Sequence, residues 1–193
     1  MCLEHVSAPG RLARMRTAVA AVLLVQLAGC SGAEPSPTTP ELAAGTVSRH
    51  GLTLGATAEP ATAKTGDAID VTASLTNDGP ADLQLSGSGS GIVFFSVTRL
   101  EDGLGSGPPI STGDCAPYIL RADEPLVVPF QKSGGFSPGD ENAEFMEIYN
   151  ATPELTLPPG TWRIDVTTSG NIGPGCTGQL LDLALELIVT VTD

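Results

Sequence analysis

The chain has 193 residues, and its 22 acidic residues outnumber the 9 basic ones, which gives a net charge of −13. Among the acidic and basic residues, only Glu4 and three arginines precede Cys30. The chain from Cys30 onward therefore has 21 acidic and 6 basic residues and a net charge of −15. This charge repels nucleic acid and anionic lipid head groups, which excludes both as direct partners. The favoured interpretation of the negative charge is a well-solvated surface. The alternative is an affinity for cations or basic partners.

The N-terminal region carries the most specific signal in the sequence. Arg16 precedes the apolar run 18–25, and small residues stand directly before Cys30. A basic start, an apolar run and small residues at the cleavage point are the parts of a secretory signal peptide. The run is shorter than the ~20 residues that a membrane-spanning helix needs. An ordinary secretory signal and an uncleaved anchor are the alternatives.

The residues Leu27-Ala28-Gly29-Cys30 resemble the lipobox of bacterial lipoproteins. The resemblance implies that the Cys30 thiol receives a diacylglyceryl group, that cleavage follows before Cys30, and that the freed amine is acylated. Two or more acyl chains hold a protein stably at a membrane. We therefore expect residues 1–29 to be a signal peptide, with Met15 as the alternative start. The mature protein is expected on the extracytoplasmic face of a bacterial cell membrane, anchored through the lipid on Cys30.

The next segment predicts a linker followed by one domain. Residues 31–45 contain three prolines and little apolar periodicity, which is typical of a flexible linker. We expect the lipidated cysteine and linker over residues 30–47 and the folded domain over residues 48–193, a length that suits one domain. His50, the only histidine after Cys30, then falls at the boundary.

Two cysteines remain once Cys30 is lipidated, namely Cys115 and Cys176. In an oxidising compartment such a pair predicts one disulfide. The disulfide would close a loop of about 60 residues and contribute about 4 kcal/mol in the chain-entropy model. Two unpaired thiols, or one reactive thiol, are the alternatives.

Alternation of apolar and polar residues predicts a series of short strands along the domain. Strands are expected at residues 52–54, 69–76, 83–85, 92–100, 125–130, 162–167 and 181–192, and Leu155 and Leu157 lead into a tight turn at residues 158–160. Connections are expected at residues 86–91, which are rich in serine and glycine, at 104–117 and 132–142, and in the Gly-rich loop 170–178. Segment 143–149 is ambiguous between a short helix and a strand, and the strand is favoured.

These strands predict an all-β fold, an antiparallel β-sandwich of about seven or eight strands. The runs VTASLTNDGPADLQL, VFFSVTRLEDG and LPPGTWRIDV resemble an immunoglobulin-like domain, in particular the bacterial domains grouped with intracellular proteinase inhibitors. The resemblance covers residues 51–168 and implies the immunoglobulin-like sandwich without assigning a functional residue. Export and a disulfide set this chain apart from an intracellular inhibitor.

The sequence predicts no catalytic, cofactor-binding or metal-binding residue. A Ser-His-Asp triad needs a base that is active near pH 7. His50 is the only histidine after Cys30, and its place at the predicted linker boundary argues against a triad. The sequence has no cluster of Cys and His residues with the spacing of a zinc site. Trp162 alternates in phase with Ile164, which predicts that its side chain lies in the core. Loop acids could contribute calcium ligands but do not match a calcium-loop spacing. These acids are Asp78, Asp82, Glu101, Asp102, Asp114, Asp140 and Glu141.

We therefore expect a non-enzymatic binding or adhesion module for a protein or cell-envelope component. Its contacts are expected on sandwich-end loops or an open sheet edge, since loops on rigid β scaffolds commonly carry recognition. Loop 101–117, joined to loop 170–178 by the disulfide, would form one such end. A protease inhibitor that inserts an exposed loop into an enzyme is the alternative. A small hydrolase, which needs an acidic cleft with a desolvated carboxylate, is the third.

Overall fold

The computed structural model describes residues 41–193. The predicted signal peptide, Cys30 and most of the predicted linker lie outside the described residues. The described part has twelve strands and one short helix, and it confirms the predicted all-β sandwich, with more strands than expected. The strands are β1 (Ala43–Arg49), β2 (Leu52–Glu59), β3 (Thr62–Lys64), β4 (Asp70–Asn77), β5 (Leu83–Gly87), β6 (Val93–Arg99), β7 (Ala116–Leu120), β8 (Leu126–Pro129), β9 (Gly160–Thr168), β10 (Gly170–Ile172), β11 (Gln179–Leu181) and β12 (Ala184–Thr192), and the helix is α1 (Ala143–Asn150).

The strands form three four-stranded sheets. The first has the order β1-β2-β4-β8, the second β3-β12-β9-β6 and the third β11-β10-β5-β7. All strand pairs are antiparallel except β3 with β12. The alternation of β2, β4, β9 and β12 puts every second side chain into one buried apolar cluster, as predicted. Each of these strands therefore stabilises the sandwich through one apolar face.

The strand register defines two ends of the sandwich. At the linker end, Ala43 pairs with Ala58, and the Ala61 N–H donates to the carbonyl oxygen of Glu41 at 2.6 Å. At the opposite end, which we call the disulfide end, Arg49 pairs with Leu52. Any segment that precedes residue 41 therefore joins the domain at the linker end.

The predicted boundary between linker and domain is wrong. β1 begins at Ala43, inside the predicted linker 30–47, and pairs with β2 along its whole length. The inward positions of β1 include Ala43, which has only a methyl group, and Gly45, which has no side chain, so both give almost no apolar signal in the sequence. His50 consequently lies in the hairpin turn between β1 and β2, with a φ of 57°, and not at a domain boundary.

The preferred interpretation of segment 143–149 as a strand is also wrong, since it forms α1. A strand that buried Phe145 and Tyr149 would also bury Glu147, which has to stay in water. A helix instead buries Phe145, Met146 and Tyr149 together and leaves Glu147 exposed. The cost of burying a carboxylate explains why the helix forms.

Three predicted connections contain strand residues. β5 extends to Gly87 within the predicted connection 86–91, β7 begins at Ala116, and β10 occupies the start of the predicted loop 170–178. The close approach of β5 and β10 requires glycine, because a Cβ atom on Gly170 would overlap the Ser86 carbonyl oxygen. A glycine-rich segment therefore indicates a loop even where the glycine lets two strands of a sheet approach closely.

The remaining predicted strands have different outcomes. The edge strand at 125–130 is confirmed as β8, at the edge of the first sheet. Residues 155–157, which precede the predicted turn at 158–160, lie between α1 and β9, and Leu155 makes an isolated bridge to Ile69. The last predicted strand is divided into β11 and β12, although its predicted inward side chains from Leu181 to Val191 are all buried. No helix within residues 41–193 is long and apolar enough to cross a bilayer.

Candidate functional site

Cys115 and Cys176 form the predicted disulfide, with their Cα atoms 5.8 Å apart. The Ser86 side chain supports this loop, because its Oγ accepts the Cys176 N–H and donates to the Gly173 carbonyl oxygen, both at 2.9 Å. The disulfide therefore joins the start of β7 to the loop after β10. The sequence predicts that loops 101–117 and 170–178 together form one end of the sandwich. Only part of loop 101–117 does so, because Gly105 in its first half makes a bridge to Thr98 of β6.

Six of the seven loop acids considered as calcium ligands accept a hydrogen bond from a local donor. Asp78 accepts from Thr53, Asp82 from Ala122, Glu101 from Thr161, Asp102 from Arg99, Asp114 from Gly89 and Asp140 from Ser137. The hydrogen bond from Arg99 lowers the pKa of Asp102 to about 2, so this carboxylate stays ionised at neutral pH. Across the described part of the chain, no three His, Cys, Asp or Glu residues are placed to hold a metal ion.

An apolar cleft of about 500 Å³ lies at the linker end, beside α1. It is lined by Thr65, Gly66, Arg99, Leu104, Glu141, Glu144, Phe145, Ile148, Tyr149, Thr156, Leu157 and Pro158. Ile148 is 66% exposed on α1, while Leu157 is 2% exposed, so the apolar lining extends from the core to the surface. We call this the apolar cleft.

An aromatic stack at the centre of the core supports the apolar cleft. The Phe145 ring stacks on both Tyr149 and Trp162, with 5.4 Å between ring centroids in each case. Trp162 is fully buried, its Nε1–H donates to the Pro158 carbonyl oxygen at 2.9 Å, and the Arg99 guanidinium lies 5.7 Å from its ring centroid. The predicted core position of Trp162 is confirmed, and its indole holds both α1 and the Pro158 turn in place.

Polar contacts fix the two ends of α1. At the beginning, the Asn142 side-chain amide donates to the Gly105 carbonyl oxygen at 2.9 Å. At the end, the Lys132 ammonium donates to the carbonyl oxygens of Tyr149 and Thr152 and lies 4.7 Å from the Tyr149 ring centroid. Burial lowers the pKa of Lys132. A short helix that is marginal alone is thus stabilised by tertiary contacts.

The Tyr149 hydroxyl is buried without a hydrogen-bond partner among residues 41–193. Ser106 lies beside it, and the Ser106 hydroxyl accepts the Val97 N–H and donates its hydrogen to the Gly107 carbonyl oxygen, so it has no hydrogen left to donate to the phenol. Burial raises the pKa of Tyr149 well above its ordinary value, so the phenol is neutral at physiological pH. An unpaired buried hydroxyl opposes folding because it loses its hydrogen bonds to water.

We expect Tyr149→Phe to raise the free energy of unfolding by about 1 kcal/mol, because it removes this unpaired hydroxyl. Tyr118→Phe is the matched control, since the Tyr118 hydroxyl donates to the Ser88 carbonyl oxygen. This control is expected to lower the free energy of unfolding by about 1 kcal/mol. Urea titration followed by tryptophan fluorescence measures both. Equal losses in the two variants would mean that the Tyr149 hydroxyl is hydrogen-bonded.

A second concavity adjoins the apolar cleft and is polar. This acidic cleft, of about 700 Å³, has the carboxylates Asp102, Asp140 and Glu141 in its lining. The two clefts share Leu104 and Glu141. The sequence prediction missed both, because they depend on α1 and on the loop before it. The i, i+1, i+4 spacing of Phe145, Met146 and Tyr149 was the signal that could have indicated the helix.

A separate exposed loop precedes the disulfide. Ile110 is 62% exposed, and its N–H donates to Ser133 Oγ at 2.9 Å. The Thr112 N–H donates to Ser88 Oγ at 2.9 Å, three residues before Cys115. The loop thus presents an apolar side chain from a backbone that is hydrogen-bonded at residues 110 and 112. His50, by contrast, lies exposed in the β1–β2 turn, where its ring contacts the Gln179 side-chain amide.

Neither a protein-family model nor a curated protein matches this sequence. Inferences about function therefore rest on features of the chain itself, namely the lipobox pattern at Cys30, the disulfide, the two clefts and the Ile110 loop.

Proposed function

We propose that this chain is an extracytoplasmic lipoprotein, anchored in the bacterial cell membrane through Cys30, whose immunoglobulin-like domain binds a protein or another cell-envelope component without enzymatic activity. The observation that carries the binding role is the apolar cleft. It places the exposed Ile148 above a rigid aromatic stack, and concave apolar surfaces with a few charged groups are typical of binding sites.

Two features support the proposed location. The residues Leu27-Ala28-Gly29-Cys30 have the lipobox pattern. The disulfide pairs the two cysteines that follow Cys30, and disulfides persist in oxidising compartments outside the cytoplasm.

The strand order supports the immunoglobulin-like assignment. In chain order, β2, β4 and β8 take the positions of strands A, B and E in one sheet, and β6, β9 and β12 take those of C, F and G in the other. The chain differs from antibody domains in its tryptophan, which is on β9, and in its disulfide, which does not cross between these two sheets.

Cys30→Ser is expected to move the protein from the membrane fraction to the soluble fraction of the envelope, because the lipid chains supply the membrane affinity. Fractionation and immunoblotting of the wild type and the variant measure this change. The control is Cys2→Ser, whose cysteine precedes the predicted cleavage point. Equal membrane association of all three proteins would contradict the proposed anchor.

The Ile110 loop favours protease inhibition as a second function. A pre-organised loop with an exposed apolar residue has the form that can enter a protease cleft with little loss of entropy. Incubation of the chain with proteases that prefer an aliphatic residue tests this function. An inhibitor would lose at least tenfold in potency in Ile110→Asp and retain it in Ile148→Asp. A binding module that is not an inhibitor leaves every protease active.

A further inference from the structure

The apolar and acidic clefts lie side by side and differ in chemistry. The apolar cleft ends in exposed Ile148, and the acidic cleft contains Asp102, Asp140 and Glu141. Leu104 and Glu141 line both clefts, so one ligand segment can reach both without leaving the surface. The two clefts therefore form one continuous, bipartite groove.

The charge of this groove is strongly one-sided. Arg99 is the basic residue among the described lining residues, and its guanidinium is bound to the Asp102 carboxylate at 2.6 Å. Glu141 and Glu144 are exposed and make no ion pair with the described residues. Two carboxylates at the groove therefore remain available to an incoming cation.

We propose that this groove binds a basic, apolar peptide segment of a partner protein, in which a bulky aliphatic or aromatic side chain stands next to Lys or Arg. The apolar side chain enters the cleft beside Ile148, and the basic side chain extends over Glu141 into the acidic cleft. This inference rests on the proposed binding function and adds the site and the chemistry of the partner. The complementary charge also speeds association with a basic partner and disfavours an acidic one.

The direct test is a titration of the isotope-labelled full chain with synthetic peptides, followed by backbone amide NMR shifts. The probe is a 12-residue peptide with two leucines flanked by lysines, and its counterpart has glutamates in place of the lysines. We expect the lysine peptide to shift amides of α1 and of residues 102–107, and the glutamate peptide to shift none of them. Equal shifts with both peptides, or shifts confined to other surfaces, would overturn the proposal.

Two substitutions divide the groove into its parts. Ile148→Asp and Glu141→Lys are each expected to weaken binding of the lysine peptide about tenfold or more, through lost apolar burial and reversed charge respectively. The matched controls are Ile188→Asp, at an exposed isoleucine of β12, and Glu147→Lys, at an exposed glutamate of α1 outside the lining of both clefts. If the controls weaken peptide binding as much as the groove variants, binding depends on the net charge or hydrophobicity of the protein and not on the groove, which would overturn the proposal.

A parallel capture experiment separates this inference from the proposed function. Crosslinked envelope partners are compared between the full-length wild type and Ile148→Asp, with chemical shifts of the core used to verify folding. Loss of a basic partner in Ile148→Asp supports the groove. Equal capture by both proteins overturns the groove and leaves the binding function in place, whereas no specific capture by either protein contradicts the binding function itself.

Discussion

Trp162→Ala is expected to lower the free energy of unfolding by about 3–5 kcal/mol, the range for truncation of a large buried aromatic side chain. Trp162 is fully buried and stacks on Phe145, and its indole N–H holds the Pro158 carbonyl. The substitution leaves a cavity beneath α1 and removes the hydrogen bond to the partly buried Pro158 carbonyl group. Most single-domain proteins have only about 5–15 kcal/mol of stability, so this loss is a large share of the total.

Urea unfolding followed by circular dichroism measures this effect, because the variant lacks the fluorescent indole. The control is Ile188→Ala on the neighbouring strand β12, where the isoleucine is 46% exposed. We expect the control to stay within about 0.5 kcal/mol of the wild type. A loss below about 1 kcal/mol in Trp162→Ala would contradict the role of the indole in the core.

Removal of the disulfide is expected to lower the free energy of unfolding by about 4 kcal/mol, since it closes a loop with a sequence separation of 61 residues. The double variant Cys115→Ala, Cys176→Ala and the reduced wild type should unfold at similar urea concentrations. Both should unfold below the oxidised wild type.

The double variant also supplies the control, because a reductant should not change its unfolding midpoint. Alkylation of the denatured, unreduced wild type should label neither Cys115 nor Cys176. Labelling of both cysteines, together with a wild-type unfolding midpoint that the reductant does not change, would contradict the presence of the disulfide.

The sequence predicted the parts of the fold in which side-chain alternation and burial agree. The residues of β12 and β9 alternate without interruption, and the structure buries their apolar positions as expected. The disulfide followed from the number of cysteines and the expected compartment. In these cases one local pattern determined the outcome, because each apolar face had to be covered by the opposite sheet.

The sequence did not predict the elements whose formation depends on distant contacts. β1 has small inward residues and becomes a strand through pairing with β2. α1 is short, and it is held by Trp162, Lys132 and the loop that carries Gly105. The groove is built by α1 and that loop, so its position required knowledge of both elements. A tertiary environment of this kind overrides weak local propensity.

The central proposal concerns the anchor, and the mass of the intact protein tests it most directly. The native chain is extracted from the envelope with detergent and measured without reduction. We predict that the chain starts at Cys30, carries a diacylglyceryl group and an added acyl chain, and is two hydrogen masses lighter than its fully reduced form. A chain that keeps residues 15–29 and carries no lipid would contradict the account.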